Sequence, residues 1–223
     1  MVKKNFPLNL FPVFFLFIGM FLGFLPLCLH RNYSRSLLWH AYLILQILIW
    51  FNLGVMLKRS YIAMFTDELT KLWNRRYLHI RLGGEVEKLK GESTLSLAIV
   101  DIDNFKCIND NYGHLFGDKV LTEVADILQN NVRKSDIVGR WGGEEFIIIL
   151  PNTDEGGAKV VFERIRKIVE RYDFGCRITI SGGIAFIQER VEINKLIEKA
   201  DNALYQAKMK KNMIAIYGEQ YIS

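Results

Sequence analysis

The sequence predicts an α+β domain, a central sheet flanked by helices, placed behind an N-terminal pair of apolar spans. Three observations predict it. Two uncharged stretches, Leu10 to Leu29 and Leu37 to Leu57, are each long enough to cross a hydrocarbon layer of roughly 30 Å as a helix. After Asp67, segments with helical apolar spacing alternate with short apolar runs. The charge also changes where the pattern changes: residues 1–66 hold six basic residues and no acidic one. The chain has 29 basic residues in all; less those six, 23 face 24 acidic residues in the remainder.

The first part therefore reads as a membrane anchor over residues 1–60, with the soluble domain at 61–223. Lys3 and Lys4 give the first span a basic start, but no alanine occurs before Ala41, so an A-x-A cleavage site is absent and an uncleaved span is expected. His30 to Ser36 would join the two spans into a hairpin. The flanks Lys3, Lys4, Lys58 and Arg59 outnumber Arg31 and Arg35, which puts both termini, and the domain that follows, on the cytoplasmic side of the membrane. Asn9, His40, Gln46 and Asn52 lie within the spans and read as helix–helix contacts or as snorkelling groups near the ends. Lys58 to Thr66 is a short, polar, mixed connector with no room for a separate sensor domain.

Within the domain, Asn74 is the expected N-cap of a helix beginning at Arg75, with Leu78, Leu82, Val86 and Leu89 on one face. Leu95 to Val100 reads as a strand ending in Asp101. Val120, Leu121, Val124, Ala125, Leu128 and Val132 mark a second amphipathic helix. Ile137-Val138 and Phe146 to Leu150 flank Gly142-Gly143, a hairpin signal. Ala158 to Val169 forms a further helical stripe. Ile178, Ile180, Ile184 and Phe186 alternate as a strand does, Ile193 to Ala207 is a long helical stripe, and Met213 to Tyr217 closes the sheet.

Composition excludes some functions. Cys28, Cys107 and Cys176 are isolated and odd in number, which argues against a disulfide framework or a zinc site. The domain's near-neutral charge lacks the basic surface expected of a nucleic-acid binder.

The chemistry concentrates at Trp141-Gly142-Gly143-Glu144-Glu145-Phe146. Two glycines permit positive φ and leave room above the backbone for a bulky ligand. A plain turn does not need two adjacent carboxylates, which repel each other; magnesium, which takes carboxylate and phosphate oxygens, would offset that repulsion. Asp101 ends an apolar strand. Were that strand to neighbour the hairpin, Asp101 would meet Glu144 and Glu145 at the sheet's edge, with Lys106 as a point charge for phosphate. Such a cluster suits metal-assisted nucleotidyl transfer. Gly83-Gly84-Glu85 also reads Gly-Gly-Glu, but it lies in a helical stripe and is assigned to packing or a kink.

Gly142 to Phe146 resembles the signature of the GGDEF family of diguanylate cyclases in its Gly-Gly-Glu-Glu-Phe form. The resemblance extends from Asp67 to about Tyr217: Asp67 to Arg76 is similar to the family's opening motif, and Asp101 to Asp118 to its metal and guanine segment. It implies a palm- or nucleotide-cyclase-like, largely antiparallel sheet, and the condensation of two GTP into cyclic di-GMP with release of pyrophosphate. Asp101, the Ile102 carbonyl and Glu144 would hold magnesium, two ions per site, with manganese as an alternative. Glu144 would accept the proton, with Glu145 beside the metals. Backbone amides near Asn104 and Phe105, with Lys106 and Lys208, would contact phosphates, and Asn109 and Asp118 would read guanine. One domain offers one GTP site, so a homodimer is implied, anchored in membrane lipid, with no nucleic-acid partner. Arg133, Asp136 and Arg164 match an inhibitory product-binding site. The chain departs from the family at Ala207 to Asn212, which is one residue short, lacks a glycine and offers Lys211 in place of arginine. Gly182 replaces a common β-branched residue and is expected to loosen its strand. The alternative is a catalytically silent domain that binds GTP or cyclic di-GMP and signals by protein contact.

Overall fold

The computed structural model describes residues 14, 15, 17–22 and 37–219. They fall in two compact units that divide between Phe65 and Thr66. In the first unit, α1 spans Leu37–Phe65. One helix among the described residues, His40–Phe65, is long and apolar enough to cross a membrane, with a mean hydropathy of 1.7 and almost none of it buried by protein. Most of the expected first span lies outside the described residues. Those that are described, 14, 15 and 17–22, are helical. Phe15 stacks on Trp50 at 6.2 Å between ring centroids. A Cβ on Gly19 would stand 2.5 Å from the same indole, so the glycine is what admits it. The expected connector is not a break: α1 runs on through Lys58 and Arg59 to Phe65. Ser60 to Phe65 has no proline or glycine to stop a helix.

The second unit is built on a six-stranded sheet in the order β1-β3-β4-β2-β5-β6. The strands are β1 (Trp73–Asn74), β2 (Leu95–Ile102), β3 (Ile137–Gly142), β4 (Glu145–Pro151), β5 (Ile180–Ile187) and β6 (Ile214–Ile216). The central pairs are antiparallel, and the two outer strands, β1 on β3 and β6 on β5, are parallel. The largely antiparallel sheet matches the expectation. The helices are α2 (Arg75–Glu87), α3 (Phe105–Tyr112), α4 (His114–Asn130), α5 (Glu155–Arg171) and α6 (Ile193–Lys210). Asn74 caps α2 as expected, its side chain accepting from the Tyr77 amide at 3.1 Å.

Both sheet faces are covered, so β2 is buried along its whole length. Its even-numbered residues Ala98, Val100 and Ile102 join Phe146 and Ile148 against α4 and α5, through Val120, Val124, Phe162 and Ile165. Its odd-numbered face lies under α6, while α2 packs on β3 and β4. Side-chain alternation therefore turns Asp101 toward α6.

Two glycine expectations resolve differently. Gly83 and Gly84 sit inside α2, and a Cβ on Gly83 would meet Ile193 of α6 at 3.1 Å, which bears out a packing role. Gly182 does not loosen its strand. It pairs with Val100 on one side and Ile214 on the other, and a Cβ there would stand 2.8 Å from Ile214 Cδ1. The neighbouring Gly183 brings β5 against the backbone of α6 at Ala200 and Leu204, leaving no space for a side chain.

Candidate functional site

The site forms where β2, β4 and α6 converge. In the β2–β4 ladder Asp101 lies directly opposite Glu145. The strand that ends in Asp101 does neighbour the hairpin, and the acids stand at the ends of the central strands β2 and β4. Gly142 pairs with Glu145, and the ladder shifts register between Arg140 and Gly142, so Trp141 is the irregular residue. Only Gly143 of the two signature glycines has positive φ, at 48°. A Cβ on Gly142 or Gly143 would meet nothing within 4 Å, which is the open space above the turn that the sequence suggests.

Asp101 is 4% exposed. The Lys208 ammonium donates to its Oδ2 at 2.8 Å. Burial pushes the Asp101 carboxyl up to about 6; Lys208 opposes the shift, and repulsion from Glu144 and Glu145 adds to it. Burial also raises Glu145, with Lys208 and Arg75 opposing and Asp201 and Glu144 adding. Burial works against the Lys208 ammonium, but Asp101, Glu145 and Glu144 outweigh it and raise its pKa. Three carboxylates thus share one field, and one ammonium balances part of it.

Among the described residues, no three His, Cys, Asp or Glu side chains gather closely enough to hold one ion. The donor set still fits a hard divalent cation: desolvated carboxylate oxygens with too little positive charge around them, at the mouth of an open turn. Ile102 is buried at the end of β2 beside Ile180.

Directly after β2, Asn104 adopts a left-handed conformation (φ 58°, ψ 29°) and begins α3, a helix the sequence reading did not resolve. The first amides of a helix have no partners within it and suit anionic oxygens. Asn104 Oδ1 accepts from Lys211 Nζ at 2.7 Å. Lys211 follows α6 at φ 59° and ψ 163°, a backbone region that is nearly glycine's alone, so a lysine here replaces a residue type the geometry prefers. Lys106 is exposed on the first turn of α3.

Asn109 on α3 packs against Gly117 of α4, where a Cβ would collide with Asn109 Oδ1 and lie 3.2 Å from Phe105; Asp118, the next residue of α4, is exposed. Arg133, Asp136 and Arg164 line a different cavity of about 610 Å³. There the Asp136 carboxylate accepts from the Arg133 amide at 2.7 Å and from Ser135 Oγ at 3.0 Å, so it also ties its own turn. Arg164 Nη2 donates to the Asn131 carbonyl at 2.7 Å.

Sequence reasoning missed several residues. Buried Asp103 accepts from Thr179 Oγ1, Ser181 Oγ and the Asn212 amide at 2.6, 2.7 and 2.8 Å, locking the residues after β2 to β5 and to the end of α6. Arg75 lies over the Trp141 ring at 4.4 Å and also acts on Glu145. Arg140 bonds both the signature turn and Asp67. Its place one residue before Trp141 was the available signal.

A family profile described as "Diguanylate cyclase, GGDEF domain" matches residues 64–213. Diguanylate cyclase DgcM of Escherichia coli K12 is 41% identical over 149 residues, covering 66% of this chain and 36% of that protein. Diguanylate cyclase A of Treponema denticola is 42% identical over 153 residues, 64% of this chain and 41% of that protein. The chain thus spans well under half of these relatives. Among solved structures, the coiled coil and GGDEF domain of DgcB from Caulobacter crescentus, in complex with c-di-GMP, aligns with a TM-score of 0.74 at 29% identity, over 79% of this chain and 98% of that one. The active GGEEF domain of a diguanylate cyclase from Vibrio cholerae aligns with a TM-score of 0.60 at 34% identity, over 66% of this chain and 98% of that one.

Proposed function

Because the chain belongs to the GGDEF family, matched over 64–213, we propose that it is a magnesium-dependent diguanylate cyclase that joins two GTP into cyclic di-GMP. The single observation that carries this reading is the ladder register: Asp101 opposite Glu145, with Glu144 one residue away and Lys208 over Asp101.

Asp101, the Ile102 carbonyl and Glu144 would hold magnesium. When bound, the metal supplies Lewis-acid polarisation of the phosphate oxygens and charge for the departing pyrophosphate. The remaining work belongs to the chain. Glu144 takes the proton from the attacking 3′-oxygen, and Glu145 keeps the site electronegative toward metal. Lys208 leaves Asp101 and turns to the triphosphate, joined by Lys106 and the amides at Asn104 and Phe105. Asn109 and Asp118 read the guanine edge: a carboxylate accepts from N1–H and the 2-amino group, which adenine lacks. The 3′-oxygen of each GTP attacks the α-phosphorus of the other, and two pyrophosphates leave. Each domain presents one such site, so two copies face each other as a homodimer.

Product binding at Arg133, Asp136 and Arg164 would restrain the enzyme, as paired guanidinium groups suit phosphate and guanine acceptors. The apolar N-terminal part, residues 1–60, anchors the chain as two spans, with residues 61–223 as the cyclase domain in the cytoplasm. The α1 helix and the Phe15–Trp50 contact support that arrangement.

The test is to incubate the full chain in detergent with magnesium and GTP and to identify products by mass. Cyclic di-GMP with pyrophosphate is expected. One observation favours a second reading, a silent nucleotide-binding domain: the strained Lys211 where a glycine and an arginine are usual. Tight GTP binding without turnover would select it.

A further inference from the structure

We infer that the outward face of α5 binds anionic phospholipid, with the phosphate head at Lys167 and Arg171 and an acyl chain along Val160, Ile168 and Tyr172. Residues 1–60, read as a membrane anchor, put the domain within reach of a lipid surface, and the inference rests on that reading but not on the chemistry at Glu144.

α5 has two faces. Ala158, Phe162, Ile165 and Val169 are buried in the core under the sheet. The other side carries a groove of about 640 Å³. Val160, Arg164, Ile168 and Tyr172 recur along it at helical spacing, and Lys167 and Arg171 stand beside them. Val160 is 69% exposed and Tyr172 43%, on a helix that buries its other large apolar side chains. Phe174 meets the Tyr172 ring edge-on at 4.6 Å between centroids, which makes the ring a fixed wall of the groove.

The charge is equally one-sided. Arg164, Lys167 and Arg171 are all exposed. Glu163 is the acid that lines the groove, and its carboxylate already accepts from Arg166 Nε at 3.1 Å. Among the described residues, neither Lys167 nor Arg171 has a carboxylate within ion-pair distance. The soluble part of the chain is close to neutral as a whole, so these cations are a local excess.

A solvated helix face accounts for the cations but leaves the apolar floor bare to water. A helix-packing face accounts for the floor but leaves the cations without counter-charge. A molecule that joins a phosphate to a hydrocarbon chain satisfies both, because the head pairs with the rim while the chain dries the floor. Anionic lipid of the cytoplasmic leaflet has that chemistry, and basic groups close to a membrane are drawn to it. The groove meets the cavity of Arg133 and Asp136 at Val160 and Arg164, but Lys167, Arg171 and Tyr172 lie outside that cavity. The head group and the product therefore have separate principal contacts.

The test places the full chain in phosphatidylcholine nanodiscs that carry a photoreactive phosphatidylglycerol or, in a parallel sample, a photoreactive phosphatidylcholine. Labelling over residues 160–172 is mapped by mass spectrometry, with labelling over residues 37–57 as the internal standard. The anionic probe is expected to label 160–172 at least about tenfold more than the zwitterionic one. Lys167→Glu/Arg171→Glu should lower that labelling at least about tenfold with the standard unchanged, and Lys167→Gln/Arg171→Gln, which serves if the charge reversal does not fold, about threefold. Equal labelling by the two probes, labelling kept in both variants, or a labelled standard with an unlabelled groove would overturn the inference. A labelled groove with no label over 37–57 would end the anchor reading and leave the lipid site standing. Absence of label from both segments would end both.

Discussion

Lys208 and Asp101, far apart in sequence, form an ion pair at 2.8 Å in which the aspartate is almost fully buried and the lysine is 42% exposed. The ammonium stands beside the carboxylates where a divalent cation would have to approach. The proposed cycle therefore contains an exchange of one counter-charge for another.

Removing the ammonium should destabilise the protein in a pH-dependent way. Lys208→Met leaves Asp101 buried without its partner. Because the lysine is well exposed, the loss at neutral pH is expected to be only ~1–2 kcal/mol. Below the Asp101 pKa of about 6 the carboxyl is protonated, and the loss should shrink. Urea unfolding at about pH 7 and about pH 4.5 measures both; equal losses at the two pH values would contradict the pairing.

Magnesium should stabilise the chain more as pH rises. The Asp101 carboxyl, raised from 3.8 to about 6, binds its proton more tightly folded than unfolded. Its contribution to stability is complete below about 3.8 and is lost as pH rises through about 6. Magnesium needs the deprotonated form, so it restores stability where that loss has occurred. The rise in Tm on adding magnesium should be larger at about pH 7.5 than at about pH 5. A rise independent of pH would place the ion elsewhere.

Glu145→Ala should abolish turnover while leaving the fold intact or slightly firmer. Burial and the charges of Asp201 and Glu144 already disfavour its ionised form, so its removal relieves repulsion. We expect turnover to fall at least ~100-fold and stability to change by less than ~1 kcal/mol, or to rise. Product yield and denaturation of one preparation test both, and unchanged turnover would contradict the proposed site.

Two glycines should respond in opposite directions to the same substitution. A Cβ at Gly84, inside α2, meets nothing within 4 Å, so Gly84→Ala should stabilise by ~0.5–1 kcal/mol through helix propensity. At Gly183 the methyl would enter the backbone of α6 at Ala200 and Leu204, and Gly183→Ala should cost ~3 kcal/mol or more. Melting curves of the two variants, run side by side, decide this.

The strands and long helices were legible because each carries its own period. β2, β4 and β5 are apolar runs of the right length, and α4, α5 and α6 repeat their apolar residues at helical spacing. Asn74 announced its cap through residue type alone, and the tandem glycines and acids marked the turn. α3 was missed because it holds only two buried residues, Phe105 and Ile108, too few to make a period. The extension of α1 was missed because Lys58 and Arg59 look like a boundary, although nothing in Ser60 to Phe65 stops a helix.

By itself the sequence determined the long helices, the main strands, their order and the identity of the chemical groups, because these follow from local spacing and side-chain type. Only the tertiary structure decided that Asp101 faces Glu145, that Lys208 balances them, that Arg140 reaches Asp67, and that Gly183 admits α6. Each of those is a pairing between separate elements of the chain. Such pairings are fixed by strand register and by which helix covers which face, and no local pattern encodes either.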